Sequence, residues 1–341
     1  MKNEDKRIIT LCVGGFPGTN RSLINLEKTT GLTRHFVLGG SDPGGAEVKF
    51  YIELFKEKSP KCILFGGWSP VYDVFMKGIR SRRTEIGVYW TSSAGQVDIS
   101  EEAGLLDSLI RSRRLKHKLF ANGELAGALS GIYDNVKHLP DTVFFPEDVA
   151  MNKRERKEDG LVFSLFCSPF EYKRKNVLNT LLALSMLKRK YTLYLNGLSK
   201  NRFYRNILKK LRIRYRDFGW MTDEKYQAAL CEIDLGLQIS FAETFNYVAA
   251  EHIVKRIPVM TSRMVPAVDC MPAYIGKRLA VDDPDSASEI RDKIEYLTEE
   301  AGRLKYLGDR MHVYLKRENE KRIKQAKKVL KSIMNGARAE I

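Results

Sequence analysis

The sequence predicts an α/β protein of two doubly wound halves, each a parallel sheet with crossover helices. Three observations carry that expectation. Short apolar runs alternate with amphipathic helical patterns along the chain, the signature of repeated βαβ units. The chain's 341 residues exceed the size at which one hydrophobic core keeps growing, so two domains are expected. A polar stretch from Pro146 to Gly160 lacks a sustained apolar period and reads as a linker, which gives domains 1–150 and 151–341.

In the first half the expected strands are Ile8 to Val13, Arg34 to Leu38, Lys61 to Phe65, Ile86 to Trp90 and Lys118 to Ala121. Several end in glycine loops, at Gly14-Gly15, Gly39-Gly40 and Gly66-Gly67. Ligands of open parallel sheets bind beyond the C-terminal ends of the strands, where glycine admits close backbone approach, so this half is expected to face a cleft. In the second half the expected strands are Leu161 to Cys167, Tyr191 to Leu195, Tyr215 to Phe218, Leu235 to Ile239 and Pro258 to Thr261. Helices are expected between them at Asn176 to Arg189, Asn201 to Leu211, Glu224 to Cys231 and Thr244 to Lys255. From Ala287 onward the pattern is helical, with apolar positions such as Ile290, Ile294, Leu297, Val329, Leu330 and Ile333.

Composition, with 43% hydrophobic and 29% charged residues, excludes collagen-like and disordered classes. No apolar run approaches the roughly 20 residues of a membrane span. The charged N-terminus runs into an apolar stretch too short for a signal peptide, so a cytoplasmic location is expected. Cys12, Cys62, Cys167, Cys231 and Cys270 are scattered without a C-x-x-C pair and read as reduced, buried residues. The five histidines show no metal-ligand spacing, and no metal is expected.

A formal charge of +16 predicts attraction to an anionic partner. Its basic clusters lie at Arg80 to Arg83, Arg111 to Lys118, Lys200 to Arg216 and Lys316 to Lys331. Solvated helix faces account for much of this, and an anionic membrane surface is the alternative, with Arg111, Arg113, Arg114, Lys116 and Lys118 interleaved with Leu109, Ile110, Leu115 and Leu119. No nucleic-acid partner is expected, because no recognition module is visible and aromatic residues do not interleave the basic runs.

The segment Leu237 to Met260 reads strand, loop, helix, strand. A helix beginning near Thr244 would aim the backbone N–H groups of Thr244, Phe245 and Asn246 at an anion such as a diphosphate. Glu243 would sit at the helix mouth, with Glu251 roughly 12 Å further along at about 1.5 Å per residue. Two carboxylates so placed suit the hydroxyl groups at opposite ends of a nucleotide-sugar. Taken alone, Glu251 with Lys255 also reads as a surface helix pair, and Glu243 as a first-turn carboxylate.

Glu243, seven residues, then Glu251, set between a strand and Ile257-Pro258-Val259, resembles the E-x7-E motif of the retaining GT-B glycosyltransferases of family four. Phe218-Gly219-Trp220, Asp234-Leu235-Gly236-Leu237 and the loop Ala280 to Asp285 are similar to neighbouring segments of that family. Lys175-Asn176 resembles its phosphate-binding Lys-Gly or Lys-Asn. The resemblance implies two Rossmann-like domains facing a central cleft, 1–150 for the acceptor and 151–341 for the donor. It implies transfer of a sugar with retention, without metal or cofactor, from a nucleotide-sugar to a glycan or lipid-linked acceptor.

Glu243 would then contact the transferred sugar and Glu251 the ribose. Lys175, or Arg174 beside it, would take the diphosphate, assisted by Thr244, Phe245 and Asn246, and Gly15 would approach the donor phosphates. Cys167-Ser168 stands where many members carry Gly-Arg, and Trp90-Thr91-Ser92-Ser93 where many present a histidine. Those departures leave a catalytically degenerate nucleotide-sugar-binding protein as one alternative, and the net charge leaves a basic nucleic-acid-binding protein as another. Asp283-Pro284-Asp285 reads as a helix cap rather than a metal site.

Overall fold

The computed structural model describes residues 8–14, 17–40, 42, 44–79, 84–99, 102–146, 160–168 and 171–336. The chain divides into two compact units, Met1–Phe144 with Asn319–Ile341, and Phe145–Glu318. The stretch from Asn319 onward therefore belongs to the first unit, where the sequence reading had assigned all of 151–341 to the second.

The first unit runs β1 (Ile8–Val13), α1 (Pro17–Thr30), β2 (Thr33–Leu38), α2 (Ala46–Lys58), β3 (Cys62–Gly66), α3 (Val71–Gly78), β4 (Glu85–Trp90), α4 (Ala94–Ile99), α5 (Ala103–Arg111), β5 (His117–Phe120), α6 (Gly123–Ser130) and β6 (Val136–His138). Among the described residues its strands form one parallel sheet in the order β2-β1-β3-β4-β5-β6. Both faces are covered, so β1 is buried at every position. Ile9, Leu11 and Val13 enter one core with Phe65, Phe75, Val88 and Phe120. Ile8 and Cys12 enter the other with Leu23, Leu64 and Tyr89. Gly66 lets α1 pack tightly there, since a Cβ would stand 2.7 Å from Leu23 Cδ1 and 2.8 Å from Thr19 Cγ2.

The second unit runs β7 (Leu161–Leu165), α7 (Val177–Ser185), β8 (Tyr191–Leu195), α8 (Arg202–Lys210), β9 (Tyr215–Asp217), α9 (Asp223–Leu230), β10 (Leu235–Gln238), α10 (Tyr247–Val254), β11 (Val259–Ser262), α11 (Ala273–Leu279), β12 (Ala280–Val281) and α12 (Ala287–Glu299). Its strands form a second parallel sheet, ordered β12-β11-β10-β7-β8-β9. The chain leaves β7 towards β8 and β9, then returns to β10 on the opposite side of β7. That reversal makes the C-terminal ends of β7 and β10 a topological switch point, where ligands of doubly wound sheets bind.

Gly236 on β10 leaves room for His252 of α10, whose Cδ2 would lie 2.9 Å from a Cβ there. Fully buried, His252 presents Nδ1 to Val248 O at 2.7 Å and Nε2 to the Ser164 hydroxyl at 2.7 Å. Nδ1 therefore carries the proton, and Ser164 donates to Nε2. The imidazole pKa is lowered to about 4 by burial, against the opposing pull of the Val248 carbonyl.

The last helix, α13 (Arg303–Met334), belongs to the second unit up to Glu318 and to the first from Asn319. In the first unit Ala326, Leu330 and Ile333 join the core of Ile8, Leu23 and Tyr89. The Asn319 side chain accepts from Val143 N–H at 2.8 Å and donates to Val143 O at 2.7 Å, satisfying both backbone groups of a buried residue.

The expected strands agree with those observed to within a few residues at each end, while β6 and β12, too short to show a period, went unread. Among the described residues no helix is long and apolar enough to cross a membrane. Cys12, Cys62 and Cys167 are buried free thiols, whereas Cys231 and Cys270 are only half-buried, contrary to expectation. Most of the expected linker, residues 147–159, and the cluster 80–83 lie outside the described residues.

Candidate functional site

Two loops leave the switch point of the second sheet side by side. The first, after β7, ends at Asn176, whose left-handed backbone (φ 52°) opens α7. The second, after β10, ends at Asn246, also left-handed (φ 71°), whose side chain accepts from Ala249 N–H and caps α10. Asparagine tolerates this conformation better than most residues, second only to glycine. The same geometry accounts for asparagine or glycine following the lysine in the resembling motif. Phe241 N–H donates to Arg174 O at 2.8 Å and ties the loops together.

Helix α10 begins at Tyr247, three residues later than the sequence reading placed it. Thr244, Phe245 and Asn246 are buried loop and cap residues, so their N–H groups are not the first turn of a helix. Glu243 likewise lies in the loop, and the separation from Glu251 expected for one continuous helix does not apply. Glu251 sits half-buried on α10.

The loops converge on the Glu243 carboxylate. Lys175 Nζ meets Oε1 at 2.5 Å and Arg174 NH1 meets Oε2 at 2.9 Å, with the side chains only 5 to 8% exposed. Asn246 Nδ2 donates to Oε1 at 3.2 Å and to Gln238 Oε1 at 3.2 Å, while Gln238 Nε2 donates to Phe166 O at 3.0 Å. Arg174 also donates to Ala242 O at 2.6 Å and pairs with the half-exposed Glu171 carboxylate. Burial alone would raise the pKa of Glu243, but Lys175 and Arg174 outweigh it and hold the carboxyl below its ordinary value. For Arg174 burial pulls the pKa down, and Glu243 and Glu171 overcome it. Two cations and two carboxylates thus neutralise one another in a poorly hydrated place, where electrostatic interactions are strong.

Asp217, at the end of β9, organises the next stretch of the same sheet edge. Its Oδ1 accepts from Gly197 N–H at 2.5 Å and Gly219 N–H at 2.9 Å, and its Oδ2 from Ser199 N–H at 2.7 Å. Burial raises its pKa, and these bonds reverse the effect and leave it lowered.

The structure brings Glu243, Lys175, Arg174 and Asn246 into direct contact. Gly15 lies outside the described residues. Gln238, Glu171, Asp217 and His252 were not singled out from the sequence, and only the Asn-before-apolar-run pattern at Asn246 offered a legible signal, that of a helix cap. Asp285 does not cap α12, because Ser286 does, accepting from Glu289 N–H. In the first unit Thr91 hydrogen-bonds Thr19 at 2.6 Å and Ser92 bonds Glu102 at 3.0 Å. Among the described residues no group of three or more His, Cys, Asp and Glu side chains is placed to hold a metal.

No protein-family model matches this chain, and no curated protein matches it. Solved structures do. HepE from Anabaena in complex with UDP-glucose superposes with a TM-score of 0.73 at 14% identity, covering 96% of this chain and 99% of that one. Sucrose-phosphate synthase from Thermosynechococcus elongatus gives 0.71 at 12% identity, covering 97% and 100%. The UDP-forming α,α-trehalose-phosphate synthase from Burkholderia vietnamiensis gives 0.64 at 13% identity, covering 97% and 100%. Likeness at such identities speaks for the fold, and the fold is GT-B, with two parallel-sheet α/β domains.

Proposed function

We propose that the protein is a glycosyltransferase whose second unit binds a nucleotide-sugar, transferring a hexosyl-type sugar with retention and without metal to a glycan or lipid-linked acceptor. The observation that carries this reading is the buried Glu243–Lys175–Arg174 cluster at the switch point of the second sheet. Its cations are suited to a diphosphate, and its carboxylate to sugar hydroxyls. HepE, of the same fold, was solved with UDP-glucose, which favours a uridine donor.

The chemistry follows from the charges. With the cluster self-neutralised, donor binding exchanges partners: the diphosphate takes Lys175 and Arg174, and Glu243 is released towards the sugar. As the bond from the anomeric carbon to the diphosphate oxygen breaks, negative charge grows on that oxygen, and the two cations stabilise it where little water competes. The acceptor hydroxyl adds to the anomeric carbon on the face the diphosphate leaves, its proton passing to the departing phosphate. Glu251, on α10, accepts from the ribose hydroxyls.

Thermal unfolding against UDP-, GDP-, ADP- and dTDP-sugars, with and without chelator, tests the donor site. Stabilisation by one nucleotide class, insensitive to chelator and lost in Glu251→Ala, is expected. Stabilisation by none of them would overturn the reading, and donor binding with neither transfer nor hydrolysis would leave a binding protein.

A further inference from the structure

The basic segment of the first unit keeps Arg111, Arg113, Arg114 and Lys116 exposed, but offers no exposed apolar residue beside them. Lys118 is buried, its ammonium donating to Ile110 O at 2.5 Å. Arg111 pairs with Asp107, and Lys116 and His117 pair with Glu85. Leu109, Ile110, Leu115 and Leu119 are core residues.

A second basic segment behaves differently. From Lys200 to Arg216 the chain carries eight basic residues and no acidic one. Helix α8 is anchored by Tyr204 and Leu208, with Tyr204 packed edge-on against Tyr172 at 4.9 Å between ring centres. The remaining positions follow the helical period. Arg202, Arg205, Asn206 and Lys209 share the exposed arc, and Lys210 and the 55% exposed ring of Phe203 form its margin.

Among the described residues Lys200, Arg202, Arg205, Lys209, Lys210 and Arg212 are exposed and form no ion pair. The helix closes with Ile213 N–H bonded to Leu208 O and Arg212 N–H to Lys209 O, so Arg212 stands at the left-handed position (φ 52°) that glycine fills without strain. A cation is kept there against local preference. Next to it β9, the edge strand of the sheet, adds exposed Tyr215 and Arg216.

Charges on an edge strand discourage edge-to-edge pairing, but that account does not reach the helix, which offers no strand edge. The C-terminal part of α13 is also rich in lysine. It lacks an exposed aromatic residue and reads as a solvated face.

We propose that the face formed by α8 and β9 docks on an anionic phospholipid bilayer. Unpaired cations on a helix face are drawn to the negative surface potential of such a bilayer, and Phe203 and Tyr215 suit its interface, where an aromatic ring sits at headgroup level. Docking in this way requires no donor, so this inference stands or falls separately from the proposed activity.

Co-sedimentation of the full chain with vesicles of phosphatidylglycerol and phosphatidylcholine, against phosphatidylcholine alone, tests it. Binding should need phosphatidylglycerol and weaken with salt. Reversing Arg205, Lys209 and Lys210 to glutamate should weaken it by about a hundredfold or more, at roughly a fivefold step per cation. Reversing Lys324, Lys327 and Lys328 on α13, the same change in net charge, should weaken it far less. Phe203→Ser should cause a smaller loss that persists as salt rises.

Equal losses in the two triple variants would overturn the proposal, as would binding to phosphatidylcholine alone. So would single-stranded RNA of the same charge density outcompeting the vesicles. Should the glutamate variant on α8 unfold, judged by its melting temperature, the glutamine triple at the same positions carries the test with the same expected direction.

Discussion

The first unit seats its buried carboxylate, Asp141, against the hydroxyls of Ser22 and Tyr89, the latter donating at 2.9 Å, whereas the second seats Glu243 against two cations. Both units use a parallel sheet covered on both faces, so the fold alone does not ask for two buried cations on one carboxylate. The hydroxyl network ties α1 to β4 and has a structural purpose. Burying Glu243, Lys175 and Arg174 together carries a desolvation penalty that an apolar cluster would avoid. A chain that accepts this penalty at the switch point of one sheet has placed there a polarity useful for binding an anion.

The largest effect expected from this contrast is on turnover. Lys175→Ala should reduce kcat by about 10² to 10³ in a transfer assay, the scale of losing one charge-stabilising donor. Tyr89→Phe should leave kcat unchanged and lower stability by about 1 kcal/mol. A comparable loss of turnover in both variants would erase the distinction between the units.

Stability without donor comes next. Glu243→Ala leaves Arg174 and Lys175 buried with one carboxylate fewer, and urea unfolding should show a loss of about 3 to 5 kcal/mol. Sulfate or phosphate should recover part of it, because either anion can take the vacated place. The carboxyl's lowered pKa gives the sign with pH: its contribution is present above the ordinary carboxylate range and is lost as pH falls through the lowered value. A variant as stable as the parent, or indifferent to anions, would mean that the cluster holds no usable positive charge.

How much of this was legible from the sequence varies with the kind of signal. Strands buried on both faces announce themselves as apolar runs, which is why β1, β8 and β11 were placed well. Periodicity also marks Leu330 and Ile333 as core-facing, but it does not name the core, and these residues pack in the first unit rather than the second. The start of α10 was misplaced because residue identity does not show the sign of φ at Asn246. The resemblance assigned Lys175 or Arg174 to the diphosphate and Glu243 to the sugar, but their direct contact was not legible, since 68 residues separate Lys175 from its partner. The basic clusters looked alike in sequence, and only burial and pairing distinguish residues 111–118 from 200–216.

Acid should sharpen the comparison further. His252 ionises near pH 4 when folded and near 6.5 when unfolded, so protonation favours the unfolded chain across that window. The gap corresponds to about 3 kcal/mol of stability lost between those pH values, using about 1.4 kcal/mol for each pH unit. His35 on β2 is also lowered to about 4 by burial, though half-exposed, and should contribute less. Urea midpoints measured across this range should flatten more for His252→Gln than for His35→Gln. A larger flattening in His35→Gln would place the acid-sensitive element in the first unit.

The smallest expected effect separates backbone from site. Asn176 in the second unit and Asn135 in the first both hold a left-handed backbone, at φ 52° and 64°. Replacing either with alanine should lower stability by about 1 to 2 kcal/mol, and glycine should relieve the backbone part of that loss. Asn135 precedes β6 and only its backbone carbonyl, accepting from Lys118 N–H, has a role the structure shows, so donor affinity should not respond to it. Asn176 follows Lys175 and fastens its loop to Pro284 O at 2.5 Å. Asn176→Ala should therefore weaken donor binding, and Asn176→Gly should weaken it less, because glycine preserves the turn that aims Lys175. Calorimetric donor titration of these variants decides the matter: equal losses at 135 and 176 would reduce the effect to general destabilisation, while a loss confined to 176 assigns it to the geometry of the cation loop.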